Sequence, residues 1–160
     1  MDLALEEIEM PSSPRNSSLY DQDFYAWALE QAALLRTGNM AAADIEHIAE
    51  EIESMGKAEK RELVSRLAIL LMHLLKWRFQ PAGQCVSWRL TVKEQRTEVA
   101  DHLADNPSLR AKLPEAMAAA YRRAVLAAAR ETSLPEALFP SDCPWSFDQA
   151  MDAGFWPAAD

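Results

Sequence analysis

The chain has 160 residues, of which 49% are apolar and 26% are charged, and its formal net charge is −9. This length and apolar content exclude a disordered chain and are typical of one folded domain. Only 4 glycines occur, and neither G-x-G-x-x-G nor G-x-x-x-x-G-K-[ST] is present, which excludes the two standard nucleotide-binding fingerprints.

The cysteines and the apolar runs indicate a compartment. Cys85 and Cys143 lie far apart, outside any C-x-x-C or Cys/His cluster, so we expect two free thiols. Residues 1–10 are acidic and lack the apolar segment of a signal peptide. The longest apolar run, residues 67–75, is far shorter than the roughly 20 residues that span a bilayer. We therefore expect a soluble cytoplasmic protein with no membrane contact.

Apolar residues recur every three or four positions from residue 21 to residue 131, which is the period of α-helices. A flexible N-terminal lead-in over residues 1–18 precedes a single domain over 19–160. We predict helices at about 21–37, 41–55, 57–80, 86–105 and 114–131, a short helical turn at 108–112 and an irregular tail at 132–160. The fold class is all-α: an up-and-down bundle of four to five helices, with the Pro- and Trp-rich C-terminal tail packed on it.

Three glycines separate the predicted helices. Gly38, Gly56 and Gly83 each follow a helical pattern, and the left-handed conformation that ends many helices is cheapest for glycine. We therefore expect a helix to end at each of them.

Charge alternates along the chain. Residues 1–56 carry −10, residues 57–130 carry +7, and residues 131–160 carry −6. The interpretation we favour is that the acidic segments pack on the basic middle and neutralise it within the fold. The alternative is that the basic middle offers a face to an anionic partner.

Two polar residues occupy unusual helical positions. Gln31 falls in the apolar face formed by Phe24, Trp27 and Leu34, where a buried amide needs hydrogen-bond partners. His73 lies on the polar stripe of an otherwise apolar central helix. We favour structural roles for both; the alternatives are a polar pocket at Gln31 and an acid, base or ligand role for His73.

Two arginines lie next to the apolar face of the fourth predicted helix. Arg89 and Arg96 lie close to the direction of its inward residues, and inward arginines require acceptors. The second predicted helix places Ile45, Ile52 and Met55 inward and lines Glu46, Glu50 and Glu53 along one edge. We therefore predict internal Arg–Glu pairs; the alternative is an anion site.

Metal and nucleophile motifs are incomplete. A di-iron carboxylate site needs two Glu-x-x-His motifs, and Asp44-x-x-His47 is the one near match. Cys85, at the start of the fourth predicted helix, is best explained as a packed cysteine. We predict no catalytic residues, no metal site and no cofactor.

Several motifs follow one another along the chain. They are Tyr20-x-x-Asp23-x-Tyr25-x-Trp27, Ala49-Glu50-Glu51-Ile52-Glu53-Ser54-Met55-Gly56, His73-Leu74-Leu75-Lys76-Trp77, Ser87-Trp88, Gln95-Arg96, Pro107-Ser108-Leu109, Cys143-Pro144-Trp145 and Phe155-Trp156-Pro157. This ordered string resembles the bacterial family known as domain of unknown function 29, over about residues 19–157. The resemblance implies an all-helical bacterial protein without an assigned reaction. His47 departs from the asparagine expected there, which weakens any metal site that uses it.

Most of our candidate binding residues lie on these motifs. They are Gln31, Glu50, Glu53, His73, Lys76, Trp77, Trp88, Arg89 and Arg96. Two interpretations stay open. The residues mark a shared site where the second, third and fourth predicted helices meet, or they form the polar network and tryptophan anchors that fix the bundle.

Among the possible functions we favour a non-enzymatic interaction or regulatory module that binds a protein partner or forms a homo-oligomer. One alternative is binding of nucleic acid or another anion by residues 57–130, which the acidic net charge makes less favourable. The other is an enzyme or metal site around Glu50, Glu53, His73 and Arg96.

Overall fold

A computed structural model describes residues 19–159, so the predicted lead-in at 1–18 lies outside the described residues. Six α-helices follow in order: α1 (Leu19–Gln22), α2 (Phe24–Arg36), α3 (Ile45–Phe79), α4 (Val86–Asp105), α5 (Leu113–Thr132) and α6 (Phe147–Met151). Short 3-10 turns lie at Pro81–Gly83, Pro107–Lys112 and Glu136–Leu138. Over residues 19–159 there is no strand, and the all-α prediction is confirmed.

The described chain divides into two compact units, the first ending at Glu53 and the second beginning at Ser54. The first unit contains α1, α2 and the start of α3, and the second contains the rest of the chain. The expectation of one domain over 19–160 stays a prediction.

Local hydrogen bonds fix both ends of α2. The Asp23 carboxylate accepts from the Ala26 main-chain N–H at 3.0 Å, which satisfies a donor in the first turn. Gly38, with a φ of +72°, donates to the Leu35 carbonyl at 3.1 Å. The predicted left-handed glycine after this helix is therefore confirmed.

The prediction that a helix ends at Gly56 is wrong, because α3 runs without interruption from Ile45 to Phe79. The two helices predicted at 41–55 and 57–80 are one helix, which begins four residues later than expected. Gly56 is exposed and has no positive φ, so it keeps ordinary helical geometry. Glycine in a helix interior lowers the free energy of unfolding by about 1 kcal/mol relative to alanine. The helical turns on either side can compensate for a loss of this size.

Gly83 also has a different role from the one predicted. Its φ is not positive; instead, a Cβ at this position would lie 2.5 Å from the ring of Trp88. The missing side chain therefore leaves space for the Trp88 indole at the turn between α3 and α4.

The apolar face predicted for the start of α3 is not buried. Ile45, Ile52 and Met55 are exposed, and so are Phe24 and Leu35 of α2. Periodic spacing indicates which residues share a helix face, but it does not show whether another element covers that face.

Side-chain pairs set the directions of the long helices in the second unit. Lys60 contacts Glu115 and Lys76 contacts Glu131, so partner numbers rise together and α5 runs parallel to α3. His102 bonds the Glu59 carbonyl, and Arg66 pairs with Glu98, so α4 runs antiparallel to α3. The second unit is thus an up-down-up arrangement, in agreement with the predicted bundle.

The core of the second unit joins all three long helices. Leucines of α3 meet valines of α4 and small residues of α5. The fully buried residues include Leu63, Leu67, Leu70, Leu71, Leu74, Leu75, Val92, Val99, Ala116, Ala120, Ala124 and Ala128. The alanines recur every four residues, so one face of α5 lacks bulk and can approach α3 closely.

The tail after α5 packs on this core, as predicted. Phe139 and Trp145 are buried, and Ala150 on α6 is fully buried. The Tyr121 hydroxyl of α5 donates to the Pro140 carbonyl at 2.5 Å. The tail is more ordered than the sequence indicates, because α6 begins with a Ser146–Gln149 capping box.

Replacing Gly56 tests the continuity of α3. We expect Gly56→Ala to raise the free energy of unfolding by about 0.5–1 kcal/mol, because no atom obstructs the added Cβ. Urea denaturation followed by circular dichroism measures the change. Gly38→Ala is the matched control and is expected to destabilise, because its φ is positive. A destabilising Gly56→Ala would show that the helix ends there.

Candidate functional site

Lys76 is a buried cation of the second unit with two partners. Its Nζ donates to Glu131 Oε2 of α5 at 2.5 Å and lies 4.3 Å from the centroid of the Trp88 ring. Only 5% of the residue is exposed. A carboxylate and an aromatic face together replace the water that this ammonium loses on burial.

Arg96 is the second buried cation of this unit, and its acceptors are main-chain carbonyls. Its Nε donates to the Ala150 carbonyl at 2.8 Å, and its terminal nitrogens donate to the carbonyls of Phe155 at 2.7 Å and Ala153 at 3.5 Å. Burial lowers the pKa of Arg96, and the charge of Asp152 opposes that shift. The predicted Arg–Glu pair is wrong for Arg96, because the tail supplies its acceptors instead.

Two tryptophans from distant parts of the chain pack together, and one of them lies beside Arg96. The ring centroids of Trp77 and Trp156 are 4.5 Å apart, and the Arg96 guanidinium lies 5.3 Å from the Trp156 ring. Arginine over an indole face gains both electrostatic and dispersion energy. The site on α3 and α4 is therefore completed by the tail.

Arg89 does not share the environment of Arg96. It is exposed, and in the described part of the chain it has no ion pair, so the predicted Arg–Glu pairing is wrong here too. It lines a small cleft of about 240 Å³ with Trp77 and Cys85. Cys85 is exposed at this cleft rather than packed as predicted.

His73 lies one turn before Lys76 on α3 and is buried. Its Nδ1 is 2.9 Å from the Ile69 carbonyl, so Nδ1 carries the proton and donates it. Burial lowers the pKa of His73, and the positive charge of Lys76 lowers it further. These contacts support the structural role that the sequence favours.

Gln31 is buried in the first unit, and its amide oxygen has a hydrogen-bond partner there. Its Oε1 accepts from the Asp44 main-chain N–H at 2.7 Å, which ties α2 to the segment before α3. The Asp44 carboxylate accepts from Trp27 Nε1 at 3.1 Å and contacts His47 Nδ1 at 2.7 Å. Although burial opposes it, hydrogen bonds from His47 and Trp27 lower the pKa of Asp44.

His47 and Tyr20 extend this network. Their rings stack with centroids 4.0 Å apart, and the Tyr20 hydroxyl donates to Glu51 Oε1 at 2.6 Å. That hydrogen bond, with the burial and nearby acids that reinforce it, raises the pKa of Tyr20 to about 12. The hydrogen bond to Asp44 raises the pKa of His47.

The two glutamates predicted for the site are exposed on α3. The charge of Glu50 raises the pKa values of Tyr20 and His47. Glu53 is exposed as well. Glu51, between them, is the residue that accepts a hydrogen bond from α1.

The sequence model of the family described as "Domain of unknown function DUF29" matches residues 19–156. The chain belongs to this family. No curated protein and no solved structure matches this chain. The resemblance found in the sequence is confirmed, and the DUF29 family assigns no reaction.

The candidate residues of this DUF29 chain belong to both units. Gln31, Glu50 and Glu53 lie in the first unit. The other six lie in the second, where contacts join Lys76 with Trp88 and one cleft includes Trp77 and Arg89. Trp156 links Trp77 to Arg96.

The side chains described above form two clusters, and five of their residues in this DUF29 chain were not predicted from the sequence. Trp156 and Glu131 complete the one around Arg96 and Lys76, and Tyr20, Asp44 and Glu51 complete the one around Gln31. Tyr20 and Trp156 lie on family-like motifs, which is the signal that points to them. Nothing in the spacing pairs Lys76 with Glu131, 55 residues later.

The described residues of this DUF29 chain contain neither a group of metal-ligating side chains nor a membrane-spanning helix. Among residues 19–159, no three His, Cys, Asp or Glu side chains are grouped closely enough to hold a metal ion. Within the same range, no helix has the length and apolar content needed to cross a membrane.

Arg96 and Arg89 form a matched pair for measuring the tie between α4 and the tail. We expect Arg96→Met to lower the free energy of unfolding by about 2–3 kcal/mol, because it leaves buried carbonyls without donors. Urea denaturation measures this loss, and limited proteolysis should become faster in residues 150–157. Arg89→Met is expected to change stability by less than about 0.5 kcal/mol. Equal effects of the two changes would contradict the role of Arg96.

The lowered pKa of His73 predicts a pH dependence. Between the folded pKa and the ordinary value of 6.5, the unfolded chain binds more protons at this residue than the folded chain does. The free energy of unfolding should therefore fall as the pH falls below 6.5. The raised pKa of His47 contributes in the opposite sense, so the comparison is between wild type and His73→Gln at each pH. Identical pH profiles for the two proteins would contradict the prediction.

Proposed function

We propose that this protein is an interaction module that binds a basic, amphipathic helix of a partner protein through one face of α2. We call this surface the α2 apolar face and define it by four residues. Their exposed fractions are 50% for Phe24, 75% for Tyr25, 56% for Leu29 and 42% for Leu35. At 100° per residue, the four side chains fall within an arc of about 140°.

The residues of α2 next to this face are already in use. Trp27 and Gln31 lie beside Phe24 around the helix, are buried, and are both bonded to Asp44. The α2 apolar face therefore extends this buried stripe into solvent. A contiguous exposed apolar patch is typical of a protein-binding surface. This exposed face is the observation that carries the proposal.

Charge supports a basic partner. Residues 19–53 contain eight acidic residues and one arginine. Two copies of this unit would bring like charges together, which disfavours a second copy of the chain as the occupant. Lysine and arginine beside an apolar stripe would instead be attracted, and a helix in an apolar groove or face is a common recognition mode.

Aromatic contacts hold part of this face in place before binding. The Phe24 ring lies 5.7 Å from the Tyr20 ring and 5.4 Å from the Trp27 ring, measured between centroids. A side chain that is already ordered loses less conformational entropy when a partner covers it.

The alternatives have less support. Lys60, Arg66 and Lys76 are paired with carboxylates of the same unit, which reduces the positive field of segment 57–130. An enzyme or metal site would use His73 and Arg96, but His73 Nδ1 and the Arg96 guanidinium already donate to main-chain carbonyls.

The test uses two synthetic amphipathic helices of about 18 residues, or five turns, with leucines on one face. The other face carries lysines in one peptide and glutamates in the second. We expect titration calorimetry to give a micromolar Kd for the lysine peptide, weakening with added salt, and no binding of the glutamate peptide.

A pair of double variants separates the α2 apolar face from general attraction between opposite charges. Tyr25→Ser with Leu29→Ser keeps the net charge and is expected to weaken binding about tenfold or more. Val86→Ser with Leu90→Ser is the control, because these α4 residues have the same spacing and are 60% and 56% exposed. Equal losses in both variants would contradict the proposal. So would a dimer of the wild type that Tyr25→Ser with Leu29→Ser abolishes, since a second copy would then cover the face.

A further inference from the structure

Two adjoining cavities form a groove along α5 in the second unit. The first, of about 520 Å³, has an apolar lining that includes Leu113, Met117 and Phe147. The second, of about 740 Å³, has an apolar lining that includes Val125 and Leu126. Both include Tyr121, Arg122 and Ser141. We call the whole feature the α5 groove.

The groove is held open by its own structure. One wall is α5, and the other is the tail, which the buried Phe139 and Trp145 anchor. The Tyr121 hydroxyl bonds the Pro140 carbonyl and so joins the two walls between the cavities. A groove formed before binding costs a ligand little reorganisation.

The length of the groove matches a short extended peptide. The lining runs along α5 from Leu113 to Leu126, which corresponds to about 20 Å at the helical rise. An extended chain covers that distance with about six residues. Two cavities joined end to end suit two apolar side chains better than one compact small molecule.

Three charged residues line the groove. Arg122 is exposed where the two cavities meet, and in the described chain it has no ion pair. Asp142 lines the first cavity and Glu136 lines the second, and both are exposed. The exposed guanidinium where the two cavities meet favours a ligand with an acidic group at that point.

We infer that the α5 groove binds a short extended peptide segment with a central acidic residue and an apolar residue on each side of it. The acid pairs with Arg122, and the apolar side chains enter the two cavities. In an extended chain, residues two apart point to the same face, so the acid and both apolar side chains face the groove together. This site is separate from the α2 apolar face and does not depend on it.

The experiment uses a fluorescent peptide of about seven residues, Lys-Leu-Ser-Glu-Ser-Leu-Lys, and a second peptide with lysine at the centre. Fluorescence anisotropy with the full chain measures both affinities. We expect the glutamate-centred peptide to bind about tenfold tighter or more, because only it pairs with Arg122. Arg122→Glu should reverse that preference, so that the lysine-centred peptide binds tighter.

The matched control is Arg130→Glu, which makes the same charge change at an exposed residue of α5 that does not line the groove. It should leave the preference between the peptides unchanged, and circular dichroism should show both variants folded. The inference is overturned if wild type binds neither peptide, or if Arg122→Glu and Arg130→Glu act alike. It is also overturned if wild type self-associates and Arg122→Glu abolishes this, because a second copy would then fill the groove.

Discussion

The second unit depends on the burial of one guanidinium. Arg96 is surrounded by α4 and the tail, and a buried cation without acceptors costs several kcal/mol. Its acceptors are carbonyls that follow it by 54 to 59 residues, so the tail must return to α4 in one conformation. That return places Trp156 over the guanidinium and against Trp77 of α3. One charge thus determines where α3, α4 and the end of the chain meet.

Lys76 constrains the position of α5 in a similar way. Its ammonium group needs Glu131, and this pair fixes α5 beside α3 at the same offset of 55 residues as Lys60 and Glu115. Lys76 and Arg96 are both buried, and each is bonded to groups of the same unit. The charged groups left for recognition lie on the surface, among them Arg122 at the α5 groove and the acids of the first unit.

Helical periodicity was enough to predict the all-α class and the positions of α2, α4 and α5, because apolar spacing reports directly on helix faces. It failed at Gly56, since the sequence does not reveal whether a glycine adopts a left-handed φ or stays helical. That Arg96 needs hydrogen-bond acceptors was predictable from the sequence. Which groups accept was not predictable, because every residue has a main-chain carbonyl and the residue types do not single out any of them. Likewise, the spacing of Ile45 and Ile52 predicted a shared face and could not reveal that this face is exposed.

The distance along the chain between Arg96 and its acceptors also bears on the order of assembly. Helices form from local contacts, whereas contacts between residues more than 50 positions apart must wait for a large loop to close. During synthesis from the N-terminus, α3 and α4 emerge well before residues 150–155. Until those carbonyls arrive, the guanidinium keeps its water and cannot enter the core. Residues 150–155 therefore decide late in synthesis whether this part of the chain can reach its native packing.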